Sequence, residues 1–466
     1  MDKPESHATD VLVVGGGNAA LCAAITAREA GARVILVESA PREFRGGDSR
    51  HTRVIRCLHE AENDHVIGSY GEDEFRHDLF SATGSRANER LARLTIRQSA
   101  TLEKWMMDHG VMFQPPTRVT FPLARTCAFF LGGGKAMINS YYAAALRLGV
   151  EVWYEAEVRD LELRSGTFVC ASFLRAERPG SIRAKSVVLA AGGYQANRQW
   201  LKALWGNGAD NIIFRGSPYN QGRVLEVLYD QGARPVGDPR GYRAVATDAR
   251  SPRYDSGLVT RIDSIPLGIV VNRHARRFYD EGEDRQSKPY AIWGCLAAEQ
   301  LGQIAFSIID AKSIDLIKPS VYPPVQAGTI RQLAGRLELD PDVLEETVAR
   351  FNQSTRPGPF DADHADQCTT AGLDPPKSHW ARPLDKPPYY GYPFRPGITL
   401  NYMGVAVDER ARIILGNGRP ATNIFAAGAI MAGNVMGDGD LAGFGMTIGT
   451  VFGRIAGMEA AGHAND

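Results

Sequence analysis

The sequence predicts an α/β fold in which both ends of the chain build one Rossmann-like domain around an inserted α+β capping domain. The start of the chain reads as a strand, a glycine turn, a helix and a second strand. From about residue 236 the chain is rich in Arg, Asp, Gly and Pro. At Asn423 a strand, a glycine-rich loop and a helix return. The predicted limits are 1–235 and 366–466 for the Rossmann-like domain and 236–365 for the cap.

Composition excludes several classes of protein. The 466 residues are too many for one ordinary core, so two or more domains are expected. Lys and Arg together number 53, and Asp and Glu together also number 53. This balance of charge favours neither nucleic acid nor acidic lipid as a partner. No apolar run approaches the roughly 20 residues of a transmembrane helix, and the polar start does not resemble a signal peptide. We therefore expect a cytoplasmic protein, associated with a membrane only through an electron-transfer partner.

The cysteines give no sign of a metal site. None of the six belongs to a Cys-x-x-Cys pair, which argues against an iron–sulfur cluster or structural zinc. We expect reduced, mostly buried thiols and no metal.

The first motif has the parts of a dinucleotide site. Val11–Val14 form a strand, Gly15 permits a tight turn, and Gly17 allows a pyrophosphate to approach the backbone. The small Ala20 lets the following helix pack closely, and its N-terminus faces the phosphates. Glu38, at the end of the second strand, is placed to accept hydrogen bonds from a ribose diol. The alternative is a structural βαβ unit that binds nothing.

A second glycine turn favours FAD over NAD, and two later glycine segments are consistent with a bound dinucleotide. Arg45–Ser49 form a glycine turn where a nicotinamide domain would more often continue into a helix. The strand Ser186–Gly193 ends in a glycine pair. Near Gly445 a helix begins after a glycine-rich loop, and its N-terminus suits the flavin pyrimidine, which is negative when reduced. The alternative for this last segment is a closely packed pair of small-residue helices.

Periodicity also predicts other helices. Residues 81–110 carry helical spacing with few breakers before Gly110, and 340–356 read as a helix after Asp340.

Nearly the whole chain resembles the fumarate reductase/succinate dehydrogenase flavoprotein family. The resemblance lies in VLVVGGGNAALCAAITAREAG, RGGDSRHT, VVLAAGGY, GIVVNRHARRFYDEGED and IFAAG…GFGMTIGTVFGRIAG. Within the family, GGGNAALCAA, RGGDSRHTR, WARP, GYPFRPGIT and MAGNV are most similar to the tricarballylate dehydrogenase branch. The resemblance implies a bipartite FAD domain, a mobile cap, hydride transfer at flavin N5 and proton transfer by a cap arginine.

The motifs and the resemblance together give the candidate cofactor residues. They are Gly15, Gly17, Asn18, Ala19, Ala20, Glu38, Ser39, Arg45, Gly46, Gly47, Ser49, His51, Thr52, Glu157, Val158, Ala191, Gly192, Gly193, Gly428, Ala429, Asp440, Gly443, Phe444, Gly445 and Met446. The segment around His51 resembles the flavinylated segment of respiratory members at a different offset, so we do not expect covalent attachment.

The resemblance also implies catalytic candidates. An ungapped match from Thr260 puts Arg285 at the family's catalytic arginine, although Arg285 also suits a surface position in DEGEDRQSK. Asn401 or Tyr402 replaces a histidine that precedes Met-Gly in the reductases. The reserve candidates for the base are Tyr279, Tyr290 and Tyr402.

The sequence departs from the reductase pattern at the sites of proton transfer and substrate binding. Arg261 and Ser264 stand where the proton relay has Glu and Arg, which argues against fumarate reduction. Leu441-Ala442 stand near the place of a carboxylate-binding arginine, and Ala429 replaces a glutamate. Asp438 and Asp440 would repel an anionic substrate unless they point away or pair with cations.

These features predict an FAD-dependent dehydrogenase of a C–C bond beside an electron-withdrawing group. The best substrate is tricarballylate, oxidised to cis-aconitate, with a separate protein or oxygen as electron acceptor. Alternatives are an oxidase or desaturase of a neutral or cationic substrate, a monooxygenase component, and a non-catalytic FAD-binding subunit. The arginines considered available for carboxylates are Arg50, Arg53, Arg56, Arg118, Arg125, Arg243 and Arg285.

Overall fold

The computed structural model divides the chain into two compact units. The first comprises Met1–Leu204, Gly216–Tyr242 and Thr399–Asp466, and the second Trp205–Arg215 and Arg243–Ile398. The structure describes residues 5–116, 123–257, 259–283, 291–317, 320–362, 364–437, 439 and 441–465. The α/β fold with an FAD-type domain split by an inserted domain is confirmed.

The bounds of the regular elements follow in chain order. The strands are β1 (Glu5–Val14), β2 (Val34–Val37), β3 (Val54–Arg56), β4 (Phe113–Gln114), β5 (Cys127–Phe130), β6 (Glu151–Trp153), β7 (Ala156–Arg164), β8 (Thr167–Arg175), β9 (Arg178–Leu189), β10 (Ile213–Phe214), β11 (Pro235–Val236), β12 (Tyr242–Asp248), β13 (Ile269–Asn272), β14 (Ala305–Asp310), β15 (Val325–Ala327), β16 (Thr355–Arg356), β17 (Thr369–Thr370), β18 (Tyr389–Asn401), β19 (Gly404–Val405), β20 (Arg412–Ile414) and β21 (Pro420–Ala426). The helices are α1 (Asn18–Glu29), α2 (Glu72–Ala82), α3 (Glu89–Ser99), α4 (Leu102–Asp108), α5 (Gly133–Arg147), α6 (Arg198–Trp205), α7 (Arg223–Asp230), α8 (Ala291–Ala298), α9 (Ile330–Arg336), α10 (Pro341–Ser354) and α11 (Phe444–Asn465).

A parallel sheet organises the first unit. Its strand order is β20-β21-β9-β1-β2-β6, in which the strands from β21 to β6 run parallel. Strand β8 pairs antiparallel with β9, and β7 pairs antiparallel with β8. Val11–Val14 in β1 and Val34–Val37 in β2 are buried along their whole length, as expected for strands covered on both faces. Because β21 pairs in parallel with β9, the C-terminal segment completes the sheet begun by the N-terminal one.

Glycines let α11 approach α1 closely. A Cβ atom added at Gly453 would lie 2.5 Å from the Ala19 carbonyl oxygen, and one added at Gly457 would lie 2.3 Å from that of Ala23. Both distances are far below a normal carbon–oxygen contact, so the helices touch backbone to backbone. The small residues of the C-terminal helix therefore serve close helix packing, which was the alternative interpretation of that segment.

The second unit is built on a mixed sheet. The strand order is β10-β18-β14-β13, and β12 and β15 also pair with β18. Lys377 is 1% exposed and donates from Nζ to the Pro266 and Gly268 carbonyls at 2.6 and 2.8 Å. Burial lowers the pKa of Lys377 to about 8. The nearby ion pair of Arg277 and Glu281 is also buried.

The helical spacing predicted over 81–110 corresponds to two helices, α3 and α4, with a break before them. Helix α2 ends at Ala82, Gly84 has a φ of +61°, and Asn88 then caps α3 by accepting from the Leu91 N–H at 3.2 Å. A positive φ and an N-cap side chain both interrupt a continuous helix. The helix predicted over 340–356 is α10, which Asp340 caps.

The predicted domain limits remain a prediction, and the compact units divide the chain differently. The cap was predicted to end at residue 365, whereas the second unit continues to Ile398. Residues 389–394 of β18 pair with β14, so they belong to the sheet of the second unit. The Pro-rich sequence of 366–388 conceals this continuation because it contains little regular structure.

The α1–α11 contact gives a testable prediction with a control in the same helix. Gly453→Ala should lower the free energy of unfolding by about 1–3 kcal/mol, the usual cost of overpacking. Gly462→Ala should leave it unchanged or raise it by up to about 1 kcal/mol, because alanine favours helix and nothing lies within 4 Å of the added Cβ. Urea titration of the two variants measures both effects. Equal stability of the two variants would contradict backbone contact between the helices.

Candidate functional site

The first glycine turn leaves no room for side chains. Gly15 has a φ of +113°, and a Cβ atom there would lie 2.3 Å from the Ala190 carbonyl oxygen. At Gly16 a Cβ atom would meet a Glu38 carboxylate oxygen and the Tyr142 hydroxyl, both at 2.3 Å. Gly17 then caps α1 with extended backbone. The turn brings bare backbone against the ends of β1, β2 and β9.

The N-terminus of α1 suits an anion. Its first turn has no acidic residue, and the Asn18 N–H donates to the Ser49 hydroxyl at 3.1 Å. The unpaired N–H groups of a helix start carry partial positive charge. Two predicted cofactor segments, around Asn18 and Ser49, therefore meet at a place suited to a pyrophosphate.

Glu38 is a buried carboxylate beside this turn. The residue is 5% exposed, and one oxygen accepts from the Ala40 N–H at 2.9 Å and the Ser39 hydroxyl at 3.3 Å. Burial raises its pKa, and the backbone N–H groups of Ala40 and Gly46 act in the opposite direction. A buried carboxylate with neutral donors has the chemistry to bind a diol.

The second glycine turn runs beside the first. Gly46 and Gly47 have φ values of +107° and +52°, and a Cβ atom at Gly46 would lie 2.8 Å from Ile138. The Arg45 guanidinium lies over the Tyr142 ring, 4.5 Å from its centroid. A cleft of about 330 Å³ beside this turn is largely cationic, and its lining residues are Arg42, Glu43, Arg45, Arg50, Lys135, Ile138 and Asn139.

The two ends of the chain meet at α1. The Asn18 side-chain amide donates to the Met446 carbonyl at 3.2 Å and to the Thr450 hydroxyl at 3.0 Å. A Cβ atom at Gly428, where φ is +81°, would lie 2.8 Å from the Ala19 methyl group. The C-terminal glycine loop and the N-terminal glycine turn therefore form one continuous site.

Asn401 lies against the Gly192-Gly193 turn. It is fully buried, and neither its amide oxygen nor its amide nitrogen has a hydrogen-bond partner among the described residues. The side-chain oxygen of Gln195 also lacks one, and both oxygens would be within 2.6 Å of a Cβ atom at Gly193. Unpaired buried amides are costly, so they indicate a place for a polar group from a ligand or water. The neighbouring Tyr402 is 3% exposed.

Asp48 belongs to the same polar region, although the sequence analysis did not select it. Its two carboxylate oxygens accept from the Ser217 N–H and the Gln195 amide, each at 3.1 Å. Burial raises its pKa to about 7. The only signal in the sequence was its position after Gly46-Gly47, which identifies a turn and not a carboxyl environment.

The prediction that Arg56 and Arg125 are available to bind substrate carboxylates is wrong. Arg56 is buried and donates to the Ala442 carbonyl at 2.9 Å and the Tyr70 hydroxyl at 2.8 Å, so it fastens the C-terminal loop. Arg125 pairs with Glu74. Arg50 is also buried.

Some predicted site residues form ion pairs within the protein, and others lie outside the described residues. The Glu157 carboxylate is paired with Arg223, at 2.7 Å, and with Arg159 at 2.5 Å. Arg261 forms an ion pair with Asp263. Five residues lie outside the described part of the chain, namely Arg118, Arg285, Tyr290, Asp438 and Asp440. Within that part, no helix is long and apolar enough to cross a bilayer, and no three His, Cys, Asp or Glu residues cluster as metal ligands would.

The glycine turns, the helix N-terminus and the buried Glu38 define a dinucleotide-binding flavoprotein assembled from both chain ends. The sequence matches the model of the FAD binding domain family over residues 10–446, and the chain belongs to that family. It is an FAD-dependent oxidoreductase of the class that acts on CH–CH groups, and the fit of its glycine-lined site agrees with FAD as the cofactor.

Individual relatives are distant. The chain is 27% identical to a probable fumarate reductase, Ifc3, of Shewanella frigidimarina, over 99% of this chain and 76% of the relative. It is 24% identical to an NADH:acrylate oxidoreductase of Vibrio harveyi, over 98% of this chain and about half (51%) of the relative. Among solved structures, the open conformation of a flavocytochrome c3 fumarate reductase has a TM-score of 0.80 at 25% identity, covering 99% of this chain and 79% of that one.

The cofactor gives the next prediction. The purified protein should release FAD and not FMN on heating, because the Gly15–Ala20 turn and Glu38 suit the ADP half. Flavin that stays with the protein after acid precipitation would contradict non-covalent binding.

Glu38→Ala should weaken FAD binding roughly 10- to 100-fold, since a charge-assisted hydrogen bond contributes about 1.5–3 kcal/mol. Fluorescence titration of the apoprotein with FAD measures this change. Glu226→Ala, in the same unit, is the control, and equal affinity of the two variants would contradict a role for Glu38.

Proposed function

We propose that the chain exchanges hydride between FAD and a C–C bond beside a carboxylate or similar electron-withdrawing group. The observation that carries this proposal is the buried Asn401 amide beside the Gly192-Gly193 turn, whose oxygen and nitrogen both lack a hydrogen-bond partner among the described residues. An amide N–H there would donate to a carboxylate or carbonyl oxygen of the substrate, and this would acidify the adjacent C–H. The flavin, when bound, supplies the hydride acceptor or donor.

The chain must also provide a base. In the direction of oxidation, a proton leaves the carbon next to the one that loses hydride, and the group that takes it must lie on the substrate face away from the flavin. We assign this role to Arg285 because of its position in the family pattern, with Tyr402 as the reserve. An arginine has a pKa above about 12, so the site must be dry and its charge disfavoured.

Arg261, which replaces the relay glutamate in the family pattern, is a weak source of positive charge for lowering the pKa of that base. Its guanidinium forms an ion pair with Asp263, at 2.5 Å, and the carboxylate largely cancels its field. The depression of the base's pKa must therefore come from desolvation or from another cation.

Within this reaction class we propose tricarballylate as the first substrate to test, oxidised to cis-aconitate, with a separate protein or oxygen as the electron acceptor. A second candidate is reduction of an activated C=C bond, favoured by the relatives named as reductases. Arg56 and Arg125 have internal partners, so binding of three carboxylates would depend on other cations. This makes monoanionic or neutral substrates a necessary part of the screen.

An anaerobic flavin-bleaching screen tests both directions. Rapid mixing of the holoenzyme with tricarballylate should bleach the flavin without oxygen, whereas a monooxygenase component would need oxygen to form product. Di- and tricarboxylates, their amides and amino acids complete the saturated set. Mixing pre-reduced enzyme with cis-aconitate, fumarate or acrylate should restore the yellow colour if reduction is the physiological direction. No change with any compound would contradict the proposal and support a non-catalytic subunit.

Arg285→Lys and Arg285→Ala should retain FAD and slow flavin reduction at least about 100-fold, the lower end for removal of a general base. Stopped-flow absorbance of the flavin measures this rate. Arg276→Ala, an exposed arginine of the same segment that pairs with Glu346, is the control. If Arg285→Ala reduces its flavin at the wild-type rate, the base is another residue, and Tyr402→Phe is the next variant to measure.

A further inference from the structure

Asp48 is a carboxyl group that the proposed reaction does not use. It follows Gly46-Gly47 directly and lies in a short 3₁₀ helix, Gly47–His51. One of its oxygens accepts from the Ser217 N–H and the other from the Gln195 side-chain amide, each at 3.1 Å. A loop on each side therefore fixes the carboxyl group at a defined place.

That place is between two of the glycine turns assigned to FAD. Gln195 comes two residues after Gly193. The Asn220 side-chain oxygen would lie 2.9 Å from a Cβ atom at Gly192 and 3.9 Å from one at Gly47. Asn220 also donates a hydrogen bond that lowers the pKa of Asp48. The inference rests on the proposed function in one respect, namely that the flavin occupies these turns.

The immediate surroundings of the carboxyl group are neutral. Burial raises its pKa to about 7, and the groups that act in the opposite direction, the Ser217 N–H and the Asn220 amide, are uncharged. The charged or titratable side chains that follow Asp48 on the same 3₁₀ helix are Arg50 and His51. Neither of them is among the groups that shift its titration.

Asp48 is also partly open to solvent, so protons can reach it. A carboxyl group of this kind responds to a new charge nearby, because a negative neighbour disfavours its ionised form in a low-dielectric site.

We propose that the Asp48 carboxylate takes up one proton when the bound flavin is reduced. A hydride from the substrate brings two electrons and one hydrogen to the ring, which then carries one added negative charge. Asp48 accepts a second proton from solvent, and the carboxyl group is neutral while the flavin is reduced. Asp48 is therefore a redox-linked positioning group, and its proton uptake makes the flavin potential fall more steeply as the pH rises above neutrality.

Potentiometry at a series of pH values tests this proposal. With two protons per two electrons the midpoint potential falls by about 59 mV per pH unit, and with one proton by about 30 mV, because a tenfold change in a two-electron equilibrium is 29.6 mV. The wild-type holoenzyme should show the steeper slope above about pH 7. Asp48→Asn should show the shallower slope throughout.

Asp108→Asn is the matched control. It removes one carboxylate from the same unit at an exposed helical site that pairs with Lys104, and it should keep the wild-type slope. Equal slopes for wild type and Asp48→Asn would overturn the proposal. If Asp48→Asn binds no FAD, the wild-type protein labelled with ¹³C-aspartate is used instead. Its reduced-minus-oxidised infrared difference spectrum then reports on the carboxyl group. A labelled carboxylic-acid band that appears on reduction supports the proposal, and its absence overturns it.

These measurements need only bound flavin and an electrode or chemical reductant, without any substrate. If no compound bleaches the flavin but the midpoint potential still falls more steeply with pH in the wild type than in Asp48→Asn, only the proposed reaction is rejected. If a substrate bleaches the flavin but the midpoint potential depends on pH equally in the wild type and in Asp48→Asn, only the proton uptake is rejected.

Discussion

The contact between α1 and α11 is the constraint on which the rest of the first unit depends. Here the backbones of two helices from opposite ends of the chain are in direct contact. Positions 453 and 457 must be glycine because a Cβ atom there would clash with the backbone of α1. The same contact places the Asn18 amide within hydrogen-bond distance of Met446 and Thr450. The N-terminal glycine turn and the C-terminal loop form one site only because these helices are packed so closely.

Glu38 and Asp48 are two carboxyl groups of this unit that differ in their exposure to solvent. Glu38 is almost fully enclosed and its oxygen is bound by local donors of the same strand end. Asp48 is reached by donors from two distant loops and retains contact with solvent. Both have a raised pKa because of burial, and Asp48 is the more exposed of the two.

Local patterns predicted the nucleotide half of the fold well. A strand of four β-formers, a glycine turn and a small-residue helix specify their own conformations, and they are β1, the Gly15 turn and α1. The helical spacing over 81–110 did not predict the break at Gly84 and Asn88, because these residues act through backbone conformation and capping, which hydrophobic periodicity does not register. The sequence also could not distinguish arginines available to a substrate from arginines with internal partners, since the partners of Arg56 and Arg125 come from other segments. Asp48 was missed for the same reason, because Gln195 and Ser217 are remote from it in the chain.

The split architecture has a consequence for biosynthesis. Asn18 and its partner Met446 are 428 residues apart, and β21, which covers one edge of β9, is also made late. At roughly 5–20 residues per second, a nascent chain spends tens of seconds with that edge of β9 exposed. Exposed strand edges invite pairing with other chains. The contacts that join the two chain ends at Asn18 therefore form only after α11 has been synthesised.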